Sequence, residues 1–440
     1  MLKVACFCLA MALTTPVWCQ VEPAAVGGGF ELDDIHMMTP PPVSRDVSPV
    51  VVGVEKRTNF LDAGLVFTGS YTDNLMFGGN AGKVSDEVYY FLPSVDLDRR
   101  SSRSGETLHY SAGFTLYDHV DQLNGATQDA AGQYRFHLSP YAVIEVNDRF
   151  QQNYNLYNQS NPFVSGGAVG GTGPSNNILV APFANQISNS AGVGISDQYG
   201  RNAMIGASGA YTFYKFSDSA KNAGLNDEYM TSGVAFYSRR IAPSEYIGIT
   251  DQFAKYITHP TNSYTATNTI LGFYTHYFTK NFSASVLGGP EHYTAWGSGT
   301  AKRQSWTPAV QGSFGWESGR TSLSATFSHI VAGAPGLIGT FQANVAGLNG
   351  RMIFARTWSA GADAEYMQEK NVNPLLYPGG HTISGGIDLQ HRMGERTSVA
   401  IGYGHFHESY GQLGTVTAFS PDSNRVYLSL NVGFHRPLGR

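Results

Sequence analysis

The sequence predicts an all-β fold, a transmembrane up-and-down antiparallel β-barrel of about 18 strands (16–18). Three observations predict it. Strand-length segments alternate apolar and polar residues, their connections alternate between short and long, and tryptophans on one segment are spaced to the height of a bilayer.

The clearest stretch runs from Gln304 to Ala332. Trp306, Pro308, Val310, Gly312, Phe314 and Trp316 share one face of a strand, and Thr307, Gln311, Ser313, Gly315 and Glu317 share the other. The two tryptophans are ten residues apart. At ~3.3 Å per residue and a tilt of ~40°, that is ~25 Å along the membrane normal, the height of the apolar band between two aromatic girdles. After a tight turn at Ser318 and Gly319, Leu323, Ala325 and Phe327 oppose a hydroxyl ladder of Ser322, Ser324, Thr326 and Ser328. Alternation alone also fits a soluble sandwich, whose apolar face meets a second sheet; the tryptophan spacing favours the membrane.

Composition agrees. The 440 residues include 51 glycines and, with 25 of each, 50 phenylalanines and tyrosines, while only 14% are charged. This is an aromatic-rich, turn-rich β composition and not that of an α/β enzyme. After residue 20 no apolar run is long enough for a membrane helix, so a span must be made of strands.

Residues 1–19 read as a secretory signal peptide, with Lys3, an apolar core from Val4 to Leu13 and a breaker at Pro16. Cleavage after Cys19 is the expected processing; acylation of Cys19 fits less well because bulky Trp18 precedes it. Cys6, Cys8 and Cys19 all lie in this segment, so the mature chain is expected to have no cysteine chemistry. Loss of Lys3 takes the formal charge from −5 to −6, too small an imbalance to imply nucleic acid. Residues 20–60, with Gly27–Gly29 and Pro40–Pro42, read as a periplasmic N-terminal extension, either a linker or a segment that plugs the barrel or docks a partner.

Residues 61–440 form the expected barrel. Strand-like segments fall at about 61–74, 86–99, 106–118, 130–139, 141–155, 187–198, 201–216, 228–240 and 244–258, and continue at 263–278, 281–295, 304–317, 320–331, 340–354, 357–368, 380–392, 397–410 and 424–435. Tight turns are expected at Ser139-Pro140, Gly200-Arg201, Ala242-Pro243, Lys280-Asn281, Ser318-Gly319, Arg356-Thr357 and Gly394-Glu395, with longer polar loops between them on the opposite side. An even count returns both ends to the periplasm. Faces keep their character: Leu108, Tyr110, Ala112, Phe114 and Leu116 oppose Thr107, His109, Ser111, Gly113 and Thr115, and Trp358 begins an outward row opposite Asp363 and Glu365. Trp306, Trp316 and Trp358 are the expected membrane girdle. Residues 265–277 and 340–354 alternate less cleanly and leave room for a bulge or a miscounted hairpin.

A barrel this wide cannot be filled by side chains, so its lining carries the function. Expected lumen residues include Asp96, Asp98, Arg135, His137, Glu145, Arg149, Asp363, Glu365, Asp388 and Arg392 among many Ser, Thr, Gly and Tyr. Both signs occur. The loop from Leu156 to Gln186 has no Asp, Glu, Lys or Arg but has five glycines. Its Tyr157, Phe163, Asn176, Asn177 and Phe183 are candidates for a channel constriction, because aromatic faces and amides suit neutral, hydroxyl-rich solutes. An exposed loop outside the channel is the other reading.

No Gly-x-Ser-x-Gly elbow, P-loop or His-Glu-x-x-His helix occurs. His405 and His407 share a strand face with Glu408 beside them, but no third ligand can be placed, so an interfacial histidine pair is expected and no metal or cofactor.

The aromatic-ended strands and the last one, where Val426, Leu428, Leu430, Val432 and Phe434 alternate with polar residues, give the chain a resemblance. It resembles the diverse group of outer-membrane β-barrel porins, especially those encoded with exopolysaccharide-synthesis genes, over about residues 61–435. It departs from the usual C-terminal strand in that His435–Arg440 follow Phe434. It resembles TonB-dependent receptors less, for want of room for a plug domain, and autotransporters less, for want of a passenger. The resemblance implies a non-enzymatic pore in the outer membrane of a double-membraned bacterium. Its expected partners are outer-membrane lipid, a small solute or polysaccharide, and periplasmic export components. A barrel enzyme of lipid or peptide hydrolysis, or a structural or adhesive barrel, is the alternative.

Overall fold

A computed structural model describes residues 59–75, 83–153, 186–217, 226–279, 281–297, 302–332, 341–372, 379–394, 396–410 and 422–438. These hold eighteen strands: β1 (Phe60–Thr72), β2 (Asp86–Arg100), β3 (Ser104–Tyr117), β4 (Gly125–His137), β5 (Ala142–Asn153), β6 (Gln186–Tyr199), β7 (Ala203–Phe216), β8 (Asp227–Ala242) and β9 (Glu245–His259). The second half comprises β10 (Ser263–Thr279), β11 (Phe282–Trp296), β12 (Arg303–Ser318), β13 (Thr321–Ala332), β14 (Phe341–Ile353), β15 (Trp358–Asn371), β16 (Gly380–Arg392), β17 (Thr397–Tyr410) and β18 (Asp422–Pro437). Each strand pairs antiparallel with its chain neighbours, and β18 pairs with β1, Leu65 opposite Val432, which closes the barrel. Closure removes the sheet edges that a bilayer could not satisfy.

The strand count and the tight-turn side agree with the sequence. Phe60 of β1 lies opposite Pro437 of β18, so the start of β1 and the end of β18 sit at the rim that carries the short turns, the periplasmic rim. At Gly200 the turn requires a left-handed backbone, φ +69°, which only glycine adopts without cost. Two expectations need correction. β4 begins at Gly125, five residues before the expected 130, because its loop-like Gly-Ala-Thr-Gln start pairs with the top of β3. The outer connection between β9 and β10 is not long: only Pro260, Thr261 and Asn262 separate the strands. The expected signal peptide and all but the last two residues of the expected 20–60 extension lie outside the described residues.

Alternation sorts side chains between lipid and lumen. Leu108, Tyr110, Phe114 and Leu116 are exposed outward, while Ser111 and Thr115 between them are buried inward. Trp306, 67% exposed, stands toward the outer end of β12 with His292 against its ring, and Trp316 stands toward the periplasmic end with Trp358 at the same rim. Two carboxylates interrupt the apolar belt. Asp148 on β5 and Asp251 on β9 face outward, and each accepts an amide hydrogen bond from a neighbouring strand, from Asn189 at 2.8 Å and Asn268 at 3.1 Å. Of the two less regular segments, β10 alternates cleanly from Ser263 to Thr275 and has one register shift near Tyr277–Thr279.

Candidate functional site: the lumen and its in-turned hairpin

The expected lumen charges all stand on the inner faces of their strands, and several meet. Arg135 on β4 donates to Glu145 on β5 through Nε at 3.1 Å and Nη2 at 2.8 Å, and Gln133 donates to the same carboxylate at 2.8 Å. One step up the same hairpin, Arg149 grips Asp129 in a two-toothed pair at 3.2 and 2.7 Å, and His109 lies 2.7 Å from Asp96 across β2 and β3. Across the barrel, Asp363 and Glu365 on β15 stand near Asp388 on β16, whose carboxylate lies against Gly361. Arg351 of β14 contacts Ser359 and Gln390 on this wall. Arg392 is at the periplasmic end of β16 and is exposed. Paired opposite charges leave little net field along β2–β5.

The lining is not polar throughout. Leu271, Phe273, Leu287 and Ala309 form a buried cluster on the inner wall of β10–β12, with Val234 and Phe236 of β8 against it. Hydroxyls flank it, Thr269 and Thr267 above and Thr275 and Ser285 below, with Thr275 Oγ1 2.9 Å from Ser285 Oγ.

Above this patch the wall breaks. β12 and β13 pair only from Val310–His329 down to Ser318–Thr321, although β12 continues to Arg303 in full register with β11. Residues 303–309 of β12 thus lack β13 as a partner. The freed end of β13 turns into the barrel together with the start of β14, with which it stays paired from Ala332–Phe341 downward, while β14 keeps its ladder with β15 from Phe341–Asn371 downward. Val331 donates its backbone N–H to Glu291 Oε2 on the inner face of β11 at 2.8 Å, and Thr269 donates to Glu291 Oε1 at 3.1 Å. Gln342 of β14 reaches past β13 to Thr307 of β12 at 3.0 Å. His329 holds this side chain in place: its Nδ1–H donates to Asn344 at 2.6 Å and its Nε2 accepts from Gln342 at 3.0 Å, one tautomer satisfying both. Ile330, Val331, Phe341 and Ala343 are all buried. Outside them Arg303 donates to the carbonyl of Val372, just past β15, at 3.1 Å, clipping β12 toward β15 over the displaced hairpin. The irregular segment 340–354 was therefore no miscounted hairpin. It belongs to a hairpin whose described outer strand ends, 330–332 and 341–343, turn inward and narrow the lumen.

The five constriction candidates, Tyr157, Phe163, Asn176, Asn177 and Phe183, lie outside the described residues. Glu291, Gln342 and His329 were not singled out by the sequence. One signal was present: Pro290 and Pro308 face each other across β11 and β12, two residues with no N–H in the wall beside the break. His405 and His407 point outward at the outer end of β17, their Nδ1 atoms 3.0 Å from Asn424 and 2.6 Å from Asp422. Among the described residues no group of three such side chains could hold a metal ion.

A second organised feature sits at the outer rim. The side chain of Asp86, buried at the top of β2, accepts backbone N–H groups from Glu87 at 2.8 Å, His119 at 3.1 Å and Val120 at 3.2 Å, and lies 3.0 Å from His119 Nδ1. It thereby folds the 118–124 connection against the mouth, where Leu123 joins Leu75, Val88 and Tyr117 in a small buried cluster. The hydrogen bond to Asp86, with Asp118 beside it, raises the His119 imidazolium above the usual histidine range. Its folded value exceeds its unfolded one, so the imidazolium's contribution to the anchor is complete below the ordinary imidazole pKa and is lost as pH rises through the raised value, while the backbone N–H bonds to Asp86 remain. Proteolytic cleavage within 118–124 is expected to accelerate with rising pH in this window, and His119→Asn is expected to abolish that dependence; a pH-independent wild-type rate would contradict it.

A closed antiparallel barrel of eighteen strands with an apolar, tryptophan-flanked exterior is an outer-membrane architecture, and the protein resides in the outer membrane of a double-membraned bacterium. No family model matches the chain, and no curated protein matches it. Among solved structures it is similar to OccK2 (OpdF) of Pseudomonas aeruginosa in complex with glucuronate, at 10% identity over 85% of this chain and 98% of that one, with a TM-score of 0.42. It is similar to opdK of the same organism at 9% identity over 86% and 99%, TM-score 0.43, and to the FrpB iron transporter of Neisseria meningitidis at 9% identity over 85% and 81%, TM-score 0.43. At these values the likeness assigns neither a family nor a solute.

Proposed function

We propose that the protein is a pore, and not an enzyme, that passes a polar solute across the outer membrane, with carbohydrate as the solute class: either diffusion of a saccharide or export of an exopolysaccharide. The observation that carries this reading is the inner wall. Its hydroxyls and amides match sugar hydroxyls, while Arg135–Glu145 and Arg149–Asp129 cancel locally and so favour neither ion sign. Outer-membrane lipid is the partner of its exterior, and periplasmic export components would meet the short-turn rim.

Purified protein in a planar bilayer is expected to give stepwise conductance with weak ion selectivity and block by added saccharide. A silent bilayer together with lipid or peptide hydrolysis would replace this reading by a barrel enzyme. Deleting residues 165–175 is expected to leave the barrel folded, enlarge the conductance and alter saccharide block; an unchanged current would place that loop outside the channel. Loss of surface polysaccharide in a deletion strain would select export, and impaired uptake of small sugars would select import.

A further inference from the structure

β12 keeps a free edge where β13 leaves it. Continuing the register from Val310–His329 would set Ala309 opposite Ile330, Pro308 opposite Val331 and Thr307 opposite Ala332. Both faces of such an extended ladder fit their surroundings. Val331 would join Phe327 and Pro308 on the lipid side, and Ile330 would join Ala309 on the lumen side above Leu287. In the observed arrangement the same stretch is satisfied by other partners, Glu291 and Thr307 on the inner wall. An unpaired strand edge at membrane depth is costly, which favours re-pairing; the buried contacts of Val331 and Gln342 favour the inward position.

We propose that the outer part of the β13–β14 hairpin, residues 330–332 with 341–343, is a gate that swings, hinged on the β14–β15 ladder, between the inner wall and the free edge of β12, and that Glu291 is its latch. This rests on the pore reading above and names how that pore is regulated. The latch is a carboxylate with no exposure, held between Thr269 and the Val331 N–H. Swinging outward re-forms the β12–β13 ladder, widens the lumen and gives Glu291 to lumen water, so neither position strands a buried charge. The Arg303–Val372 bond reaches from β12 to the end of β15 past the hairpin; it must open when β13, carried by β14 on its ladder with β15, moves back beside β12. Inward, the gate narrows the channel beside the apolar patch; outward, it closes the seam between β12 and β13.

Two disulfides test this, in a mature chain whose natural cysteines all precede residue 20. Thr307→Cys with Gln342→Cys joins positions whose side chains touch only when the hairpin is inward; Ala309→Cys with Ile330→Cys joins positions that face each other only in the extended ladder. Single-channel recordings should show two conductance levels for the reduced forms, the lower level alone for the oxidised first pair, and the upper level alone for the oxidised second pair. Glu291→Gln should raise the ratio of open to closed time by about tenfold, the loss of one charge-assisted hydrogen bond. Equal conductance of oxidised and reduced forms in both pairs, with Glu291→Gln behaving as wild type, would make the hairpin a fixed part of the wall and overturn the gate while leaving the pore. Failure of the second pair to oxidise in folded barrels would also overturn it. Silence of every variant in the bilayer, with the first disulfide formed, would instead overturn the pore.

Discussion

Arginine at Leu348 is expected to cost the barrel about 2–4 kcal/mol, whereas arginine one residue later, at Asn349, costs under about 1 kcal/mol. Both positions are on β14, below the part that turns inward. Leu348, 50% exposed, faces the hydrocarbon between Phe327's neighbour Ala325 and Ala364. A guanidinium there must leave water or drag it into the bilayer. Asn349 faces the lumen opposite Asp363, so an arginine finds water and a carboxylate. Equilibrium unfolding from lipid vesicles should separate the two, and equal destabilisation would mean that the faces are reversed. Asn349→Arg should also shift the pore toward anions, read as a change in reversal potential. The same comparison at Val310 and Gln311 is less clean than alternation suggests. Val310 faces lipid, but Gln311 is only 1% exposed, so an arginine at either position would be unwelcome.

The barrel was legible because lipid outside and water inside impose a period of two on every strand, and that period survives in residues such as Leu108–Tyr117 and Val426–Phe434. Lumen placement of Arg135, Glu145 and Arg149 followed from the same parity. Their pairing partners did not, since register sets Glu145 opposite Arg135 and Asp129 diagonal to Arg149, and alternation leaves register unspecified. The in-turned hairpin was hidden for a related reason. His329, Val331 and Gln342 keep the parity of a wall strand whether the strand lies in the wall or inside it, because displacement toward the axis changes what a face meets and not which residues share it. Only the loss of the β12 ladder reveals the move, and its trace in the sequence is a pair of prolines in separate strands. Asp86 was equally silent, because its partners at His119 and Val120 are more than thirty residues away in an irregular connection.

Asp86→Ala is expected to free the 118–124 connection at a cost of about 2–3 kcal/mol, equivalent to a roughly hundredfold rise in cleavage of that segment by chymotrypsin at Tyr117 or Leu123. The magnitude follows from what the carboxylate does. It accepts backbone N–H groups from Glu87, His119 and Val120, and the last two lie in the irregular turn, where no strand neighbour can replace it. Alanine leaves these donors beside the buried cluster of Leu75, Val88, Tyr117 and Leu123, and the cheapest relief is to open the connection to water. Opening stops there, because β2 and β3 remain paired from Val88–Tyr117 downward. The global unfolding midpoint should therefore shift little while local cleavage rises. Asp86→Asn is the sharper variant: it keeps one carbonyl acceptor but turns the other position into a donor facing backbone N–H groups, so it should be nearly as susceptible as alanine. Cleavage of Asp86→Asn at the wild-type rate would show that packing by Leu123, and not the carboxylate, holds the connection on the mouth.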